Sequence, residues 1–178
     1  MPTIFSHAVF AAATGRAYVR GKTSPWFWVL AALCAIVPDA DVVGRSFGVE
    51  SGTMLAHRGL THSVFFALFF GSAAALFARR FISTEISLAK SIVFFSLATF
   101  SHPLLDMLTN GGRGVALLAP FSNERFFFPW RPVEVSPIGL KFFGPRGVEV
   151  ILSEIVWIWL PAGAILLAVW MFERKKRR

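Results

Sequence analysis

Five apolar stretches dominate the chain, at residues 3–19, 26–37, 62–78, about 86–108 and 150–172. Several approach the roughly 20 residues that a helix needs to cross the hydrocarbon core of a bilayer. Backbone polar groups at that depth find no water, so segments that satisfy their own N–H and C=O groups are the natural outcome. Composition agrees: 55% of the residues are hydrophobic, twenty are Phe, and 16% are charged, against about 25% in soluble domains. The sequence predicts one all-α domain over residues 1–178, a polytopic membrane helix bundle with about four to five transmembrane helices.

Local signals order the spans. The first stretch has no basic region before its apolar part, so it reads as a retained helix rather than a signal peptide, marginal in length for a crossing. Pro25 opens the second, where Trp26 and Trp28 suit the interface. Thr61 is the expected N-cap of the third, which stops at Arg79 and Arg80. Asn110, Gly111 and Gly112 read as a glycine C-cap of the fourth. A loop rich in Pro, Gly and aromatics follows over 109–149, Pro161 should kink the last span, and 173–178 forms a basic tail. The single cysteine, Cys34, sits in an apolar window as a small buried hydrophobe, and no Cys-based metal motif exists.

Three polar islands interrupt this background: Pro38-Asp39-Ala40-Asp41, His57-Arg58-Gly59-Leu60-Thr61-His62-Ser63 and Ser101-His102-Pro103-Leu104-Leu105-Asp106. They hold all three aspartates and three of the four histidines; His7 lies in the first apolar stretch. Each ionisable group at membrane depth costs roughly 2.5–3.5 kcal/mol on insertion scales, which is tolerated where groups pair, line water or hold an ion. His with carboxylate is ligand chemistry for zinc, manganese or iron. His102 and Asp106 are one helical turn apart on one face. Asp39 and Asp41 diverge on a regular helix and work together only if the helix loosens near Pro38. His57 and His62 converge if Gly59 turns the backbone between them. Each pattern also has a bland explanation, a hydrogen-bonded polar patch or an exposed helix end, and for His7 alone that explanation is as good as ligation.

Alternating the spans across the membrane gathers all seven candidate ligands, His7, Asp39, Asp41, His57, His62, His102 and Asp106, at one face. That face carries seven basic residues; the other carries Arg16, Arg20, Lys22, Arg79, Arg80, Lys90 and the tail, eleven in all. The positive-inside rule puts the second face in the cytoplasm and the candidate site on the non-cytoplasmic side. The net charge of +8 is scattered between apolar segments, so it speaks for anionic lipid rather than nucleic acid. Arg58, and Arg125 and Arg131 within the aromatic segment 120–132, are candidates to hold a substrate phosphate, although an interfacial aromatic belt explains that segment equally well.

Together the early His7, Pro-Asp-x-Asp at 38–41, His-Arg-Gly-x-Thr-His-Ser at 57–63, Ser-His-x-x-x-Asp at 101–106 and the aromatic run at 120–132 resemble the membrane-bound metal-dependent hydrolases of bacteria and archaea. The resemblance covers about residues 3–137 and implies a multi-helix membrane fold with a hydrolytic role. Six or seven ligands exceed the needs of one tetrahedral zinc, so two ions are expected. Three Asp charges against two divalent ions leave about +1, suited to an anion. The expected chemistry is metal-assisted hydrolysis of a lipid or lipid-linked phosphoester or ester, with Asp39, Asp41 and Arg58 as catalytic residues. A non-catalytic divalent-metal transporter or sensor is the alternative. A transporter should hold its ligands near mid-membrane, whereas these cluster at span ends.

Overall fold

The structure is a computed structural model and describes residues 1–137 and 139–176. Five helices build it: α1 (Ile4–Tyr18), α2 (Pro25–Ile36), α3 (Val64–Phe81), α4 (Leu88–Met107) and α5 (Pro145–Lys176). Among the described residues β structure is limited to isolated bridges. Thr3, Ser24, Ser63 and Ser87 cap the first four helices with side-chain oxygens. Ser63, rather than Thr61, therefore starts α3, accepting from the Phe66 N–H at 3.1 Å. Thr61 lies two residues earlier and uses its hydroxyl elsewhere.

Pro38 has no N–H to give to the carbonyl four residues back, and α2 tightens there into a 3-10 stretch, Val37–Phe47. With that extension α2 runs Pro25–Phe47, and among the described residues it, α3, α4 and α5 are the four segments long and apolar enough to cross a membrane. The 15 residues of α1 rise about 22 Å, short of a hydrocarbon core of roughly 30 Å. The irregularity expected from Pro161 takes the form of a π turn at Ile155–Trp159. The last helix also begins at Pro145, earlier than position 150, after a 3-10 turn at Gly139–Phe143. The end of α4 departs from expectation too: it closes on Leu108 in right-handed geometry, and Asn110 instead accepts from the Val135 N–H at 3.0 Å. Arg177 and Arg178 of the basic tail lie outside the described residues.

Small residues bring α3 and α4 together. Ala67, Gly71, Ala74, Ala75 and Ala78 form the buried face of α3, and a Cβ on Gly71 would stand 2.3 Å from the Ser96 nitrogen. Such seams are how helices pack when lipid removes the hydrophobic drive between them. Phe27, Phe94 and Phe95 fill the space between α2 and α4, and Cys34 is fully buried beside them. Large apolar side chains point outward instead, among them Phe69, Phe77, Leu160 and Trp170. In water such a surface would be a liability; in a bilayer it is the matching one.

Two sets of contacts fix the ends of the bundle. The Thr3 N–H and the Thr3 and Ser6 hydroxyls donate to Glu154, while Arg16 pairs with Glu173 at 3.2 Å. Helices α1 and α5 therefore run parallel. A backbone bridge between Thr23 and Thr84 joins the α1–α2 and α3–α4 loops at the Arg16 end. The connection over 109–137 folds across the opposite end, burying Val115, Ala116, Ala119 and Val133 completely.

Candidate metal centre

Beneath that connection the three polar islands and His7 meet. Asp39 and Asp41 do diverge on the 3-10 stretch, and His62 lies between them. Its Nε2 is 3.6 Å from Asp39 Oδ1, and its Nδ1 is 3.2 Å from Asp41 Oδ2. Gly59 makes that approach feasible, because a Cβ there would stand 2.1 Å from the Met54 carbonyl oxygen. From α4, His102 Nε2 comes within 3.2 Å of Asp39 Oδ1 and 3.1 Å of His62 Nε2. Asp106 Oδ2 lies 3.5 Å from His62 Nε2. Asp39, His62, His102 and Asp106 thus form one buried cage, and a second, shallower group comprises Asp41, His57 and His62.

Hydrogen-bond partners fix the proton positions on two of the cage imidazoles. His102 Nδ1 lies 2.7 Å from the Ala35 carbonyl, which can only accept, so Nδ1 carries the hydrogen. Thr61 donates to Asp41 Oδ2 at 2.6 Å, and its oxygen is 3.0 Å from His62 Nδ1. His62 Nδ1 therefore also carries a hydrogen, facing the carboxylate and the hydroxyl. With both rings neutral the two Nε2 lone pairs face each other, the Asp39 carboxylate beside both and the Asp106 carboxylate beside His62. Repulsion on that scale is relieved by a cation at the centre. Four of the six separations, 3.1–3.6 Å, match the edges of a tetrahedral site, whose bonds of about 2.0–2.1 Å set ligand atoms roughly 3.3–3.4 Å apart, and all four atoms lie within 4.8 Å of one another.

Other groups agree. Six buried side-chain atoms at this spot, both nitrogens of His7 and both oxygens of Asp39 and of Asp106, have no hydrogen-bond partner. Native interiors rarely leave such atoms orphaned without an ion, water or strain to account for them. His7 stacks on His102 with ring centroids 3.7 Å apart, its Nε2 3.7 Å from Asp106 Oδ1. Burial lowers the basicity of His62, but the Asp106, Asp39 and Asp41 carboxylates that face the ring outweigh it and raise its pKa to about 10, so a proton and a metal ion compete for the same place on Nε2. The protein atoms favour positive charge here.

Arg58 is buried and holds a left-handed backbone, φ 65°. Its Nε is 2.9 Å from Asp106 Oδ2, an ion pair off the line of a hydrogen bond, and its terminal nitrogens donate to the Gly111 carbonyl and Thr109 hydroxyl. Three carboxylates against one guanidinium leave the cluster at −2 with neutral imidazoles, the charge that one divalent ion cancels. His57 pairs through Nδ1 with Asp41 Oδ1 at 2.7 Å and lines a small cavity of about 140 Å³. Arg45, Arg58 and Arg113 line the same cavity. Arg125 donates instead to the Thr53 and Arg58 carbonyls, and Arg131 stands 4.8 Å over the Phe127 ring. Neither is brought to the cavity wall.

Sequence reasoning missed Arg45, Arg113 and Glu154. The two arginines read only as charges on one face. Glu154 did leave a signal, an acidic residue alone in an apolar span, and it is completely buried.

The fold and the site define an integral membrane helix bundle with a buried His/Asp cage at one end. The chain belongs to the YdjM inner membrane protein family, whose description matches residues 1–176. It is 36% identical over 175 residues to inner membrane protein YbcI of Escherichia coli (strain K12), covering 98% of this chain and all of that one. No solved structure matches it. These descriptions name a location and no activity.

Proposed function

We propose that the protein is a membrane-embedded metal-dependent hydrolase acting on a phosphoester or other ester of a lipid or lipid-linked anion, with its site on the non-cytoplasmic side. One observation carries the reading: two imidazole lone pairs and two carboxylates converge on one buried point with nothing but positive charge able to reconcile them. Asp39, His62, His102 and Asp106 would hold the ion, with His7 within reach of the Asp106 side. An N₂O₂ donor set suits zinc, and manganese or iron fits the same donors. Such an ion supplies a nucleophile from water at neutral pH and an electrophile for a phosphoryl or acyl oxygen.

The chain's own groups divide the remaining work. Asp41 fixes the tautomer of His57 and the orientation of His62, the task that carboxylates behind ligand histidines perform. With Nδ1 so engaged, His57 keeps Nε2 for proton transfer beside the cavity. Arg58 offsets the Asp106 charge. Arg45 and Arg113, at the same cavity, meet the phosphate or carboxylate of the substrate. The charge balance favours one resident ion. A second would use the Asp41, His57 and His62 group.

Metal content by mass spectrometry tests this, on purified wild type beside Asp39→Ala and His102→Ala. About one tightly held ion per chain, lost in either variant, is expected; two would fill the outer group as well. Turnover of lipid phosphoesters by the loaded protein, abolished in both variants, completes the case. Folded protein that takes up no zinc, manganese or iron sinks it. Metal bound without turnover of any ester leaves the transporter or sensor reading, which the position of the cage at the bundle end does not favour.

A further inference from the structure

The opposite end of the bundle carries a second cavity, unrelated to the cage. It has a volume of about 770 Å³ and lies between the end of α1, the α1–α2 loop and the last turn of α5. Arg16, Arg20, Lys22 and Lys176 line it, with Glu173 the one acid in its wall. Glu173 is already engaged by Arg16. Among the described residues, Arg20, Lys22 and Lys176 form no salt bridge. Two aromatics complete the wall. Phe172 lies under the Arg20 guanidinium at 5.6 Å, and Trp28 donates its indole N–H to the Thr23 hydroxyl at 3.0 Å. An indole so anchored beside cations marks the headgroup level.

A second groove continues from this cavity between α1 and α5. It shares Arg20, Phe172 and Glu173 with the first and proceeds along Ala17, Ala168 and Val169, with a volume of about 270 Å³. The composition changes along one continuous surface, from cationic at the mouth to aliphatic between the helices. That sequence of chemistry matches one molecule: a phosphate-bearing headgroup with an acyl chain attached.

We propose that this end binds one anionic glycerophospholipid, its phosphate and headgroup against Arg20, Lys22 and Lys176 and an acyl chain in the groove between α1 and α5. Basic pockets between membrane helices bind anionic headgroups in this way. The lipid bridges the two parallel helices at the end where the Arg16–Glu173 pair and the Arg20–Phe172 contact join them, and so ties α5 to the bundle.

Native mass spectrometry of the full-length protein, delipidated and offered defined lipids in detergent, reads the site. One phosphatidylglycerol retained per chain is expected, with phosphatidylcholine retained much less. Arg20→Gln/Lys22→Gln removes about 1 kcal/mol of attraction per charge and should weaken retention roughly 30-fold. Ala168→Trp fills the groove and should also weaken it. Arg79→Gln/Arg80→Gln takes two charges from the same end of the bundle but not from the cavity, and should leave retention unchanged. Equal loss in the two double variants would mean diffuse attraction and overturn the site. Displacement by millimolar inorganic phosphate, or indifference to Ala168→Trp, would reduce it to an ion site and overturn the lipid.

Discussion

The sequence offers Arg58 as a holder of substrate phosphate; its side chain lines the cavity and also meets Asp106, Thr109 and Gly111. Sequence spacing can bring an arginine beside a metal motif without telling which anion it meets. The partner that claims it, Asp106, is 48 residues away on α4. Arg58→Ala leaves a buried carboxylate uncompensated, a change worth about 3–5 kcal/mol. A lower thermal midpoint in detergent is expected, recovered in part by zinc, which replaces the lost counter-charge. A variant as stable as wild type without metal would show that the pair is dispensable. His7 poses the converse question, since an even choice between core residue and ligand becomes a ring stacked on His102 with both nitrogens unpaired. His7→Phe keeps the stack and removes the donors. Metal binding ten- to a hundredfold weaker, by competition with a chromophoric chelator, is the outcome expected of a residue that touches or orients the ion. Unchanged affinity would make it packing alone.

Among the elements, the helices were legible because apolar length and capping residues are local properties. Pro38 announced the loosening of α2, and the 3-10 stretch that follows turns Asp39 and Asp41 toward opposite sides of the His62 ring. What the sequence could not announce is which distant group claims a side chain. Thr61 looks like a cap and serves Asp41; Glu154 looks like a stray charge and clamps the start of α1 beside a π turn. Trp159 adds its indole N–H to Ser6 at 2.7 Å, so the clamp fixes the turn that carries His7. Glu154→Ala would leave three donors from Thr3 and Ser6 without their acceptor, at about 1–3 kcal/mol for each one that stays buried and unsatisfied. Faster hydrogen exchange confined to α1, with the α3 and α4 amides still protected, is the expected reading; uniform exchange throughout would mean that the clamp supports the whole fold. The α3–α4 seam should be less forgiving. Gly71→Ala drives a methyl against the Ser96 backbone, and a loss of about 1–3 kcal/mol is expected from thermal unfolding in detergent.

The whole molecule is polar in a directional sense: three carboxylates against one guanidinium under the 109–137 connection at one end, uncommitted cations around an open cavity at the other. Parallel α1 and α5 preserve the alternation deduced from the apolar stretches, so both ends collect the residues that the topology assigned to them. Orientation in the membrane then decides which lipids and anions each end can meet. The fully buried Cys34 leaves the wild-type chain without an accessible thiol, so single cysteines report cleanly. Ser51 is exposed beside the cage cavity and Ser83 is exposed at the basic end. With eleven cations against seven setting the bias, Ser51→Cys should react with a membrane-impermeant maleimide in cells whose inner membrane is intact. Ser83→Cys should react only once that membrane is opened. The reverse pattern would turn the cage toward the cytoplasm, give it substrates from the inner leaflet, and leave the phospholipid cavity facing outward, so this one labelling experiment sets the compartment in which every substrate assay belongs.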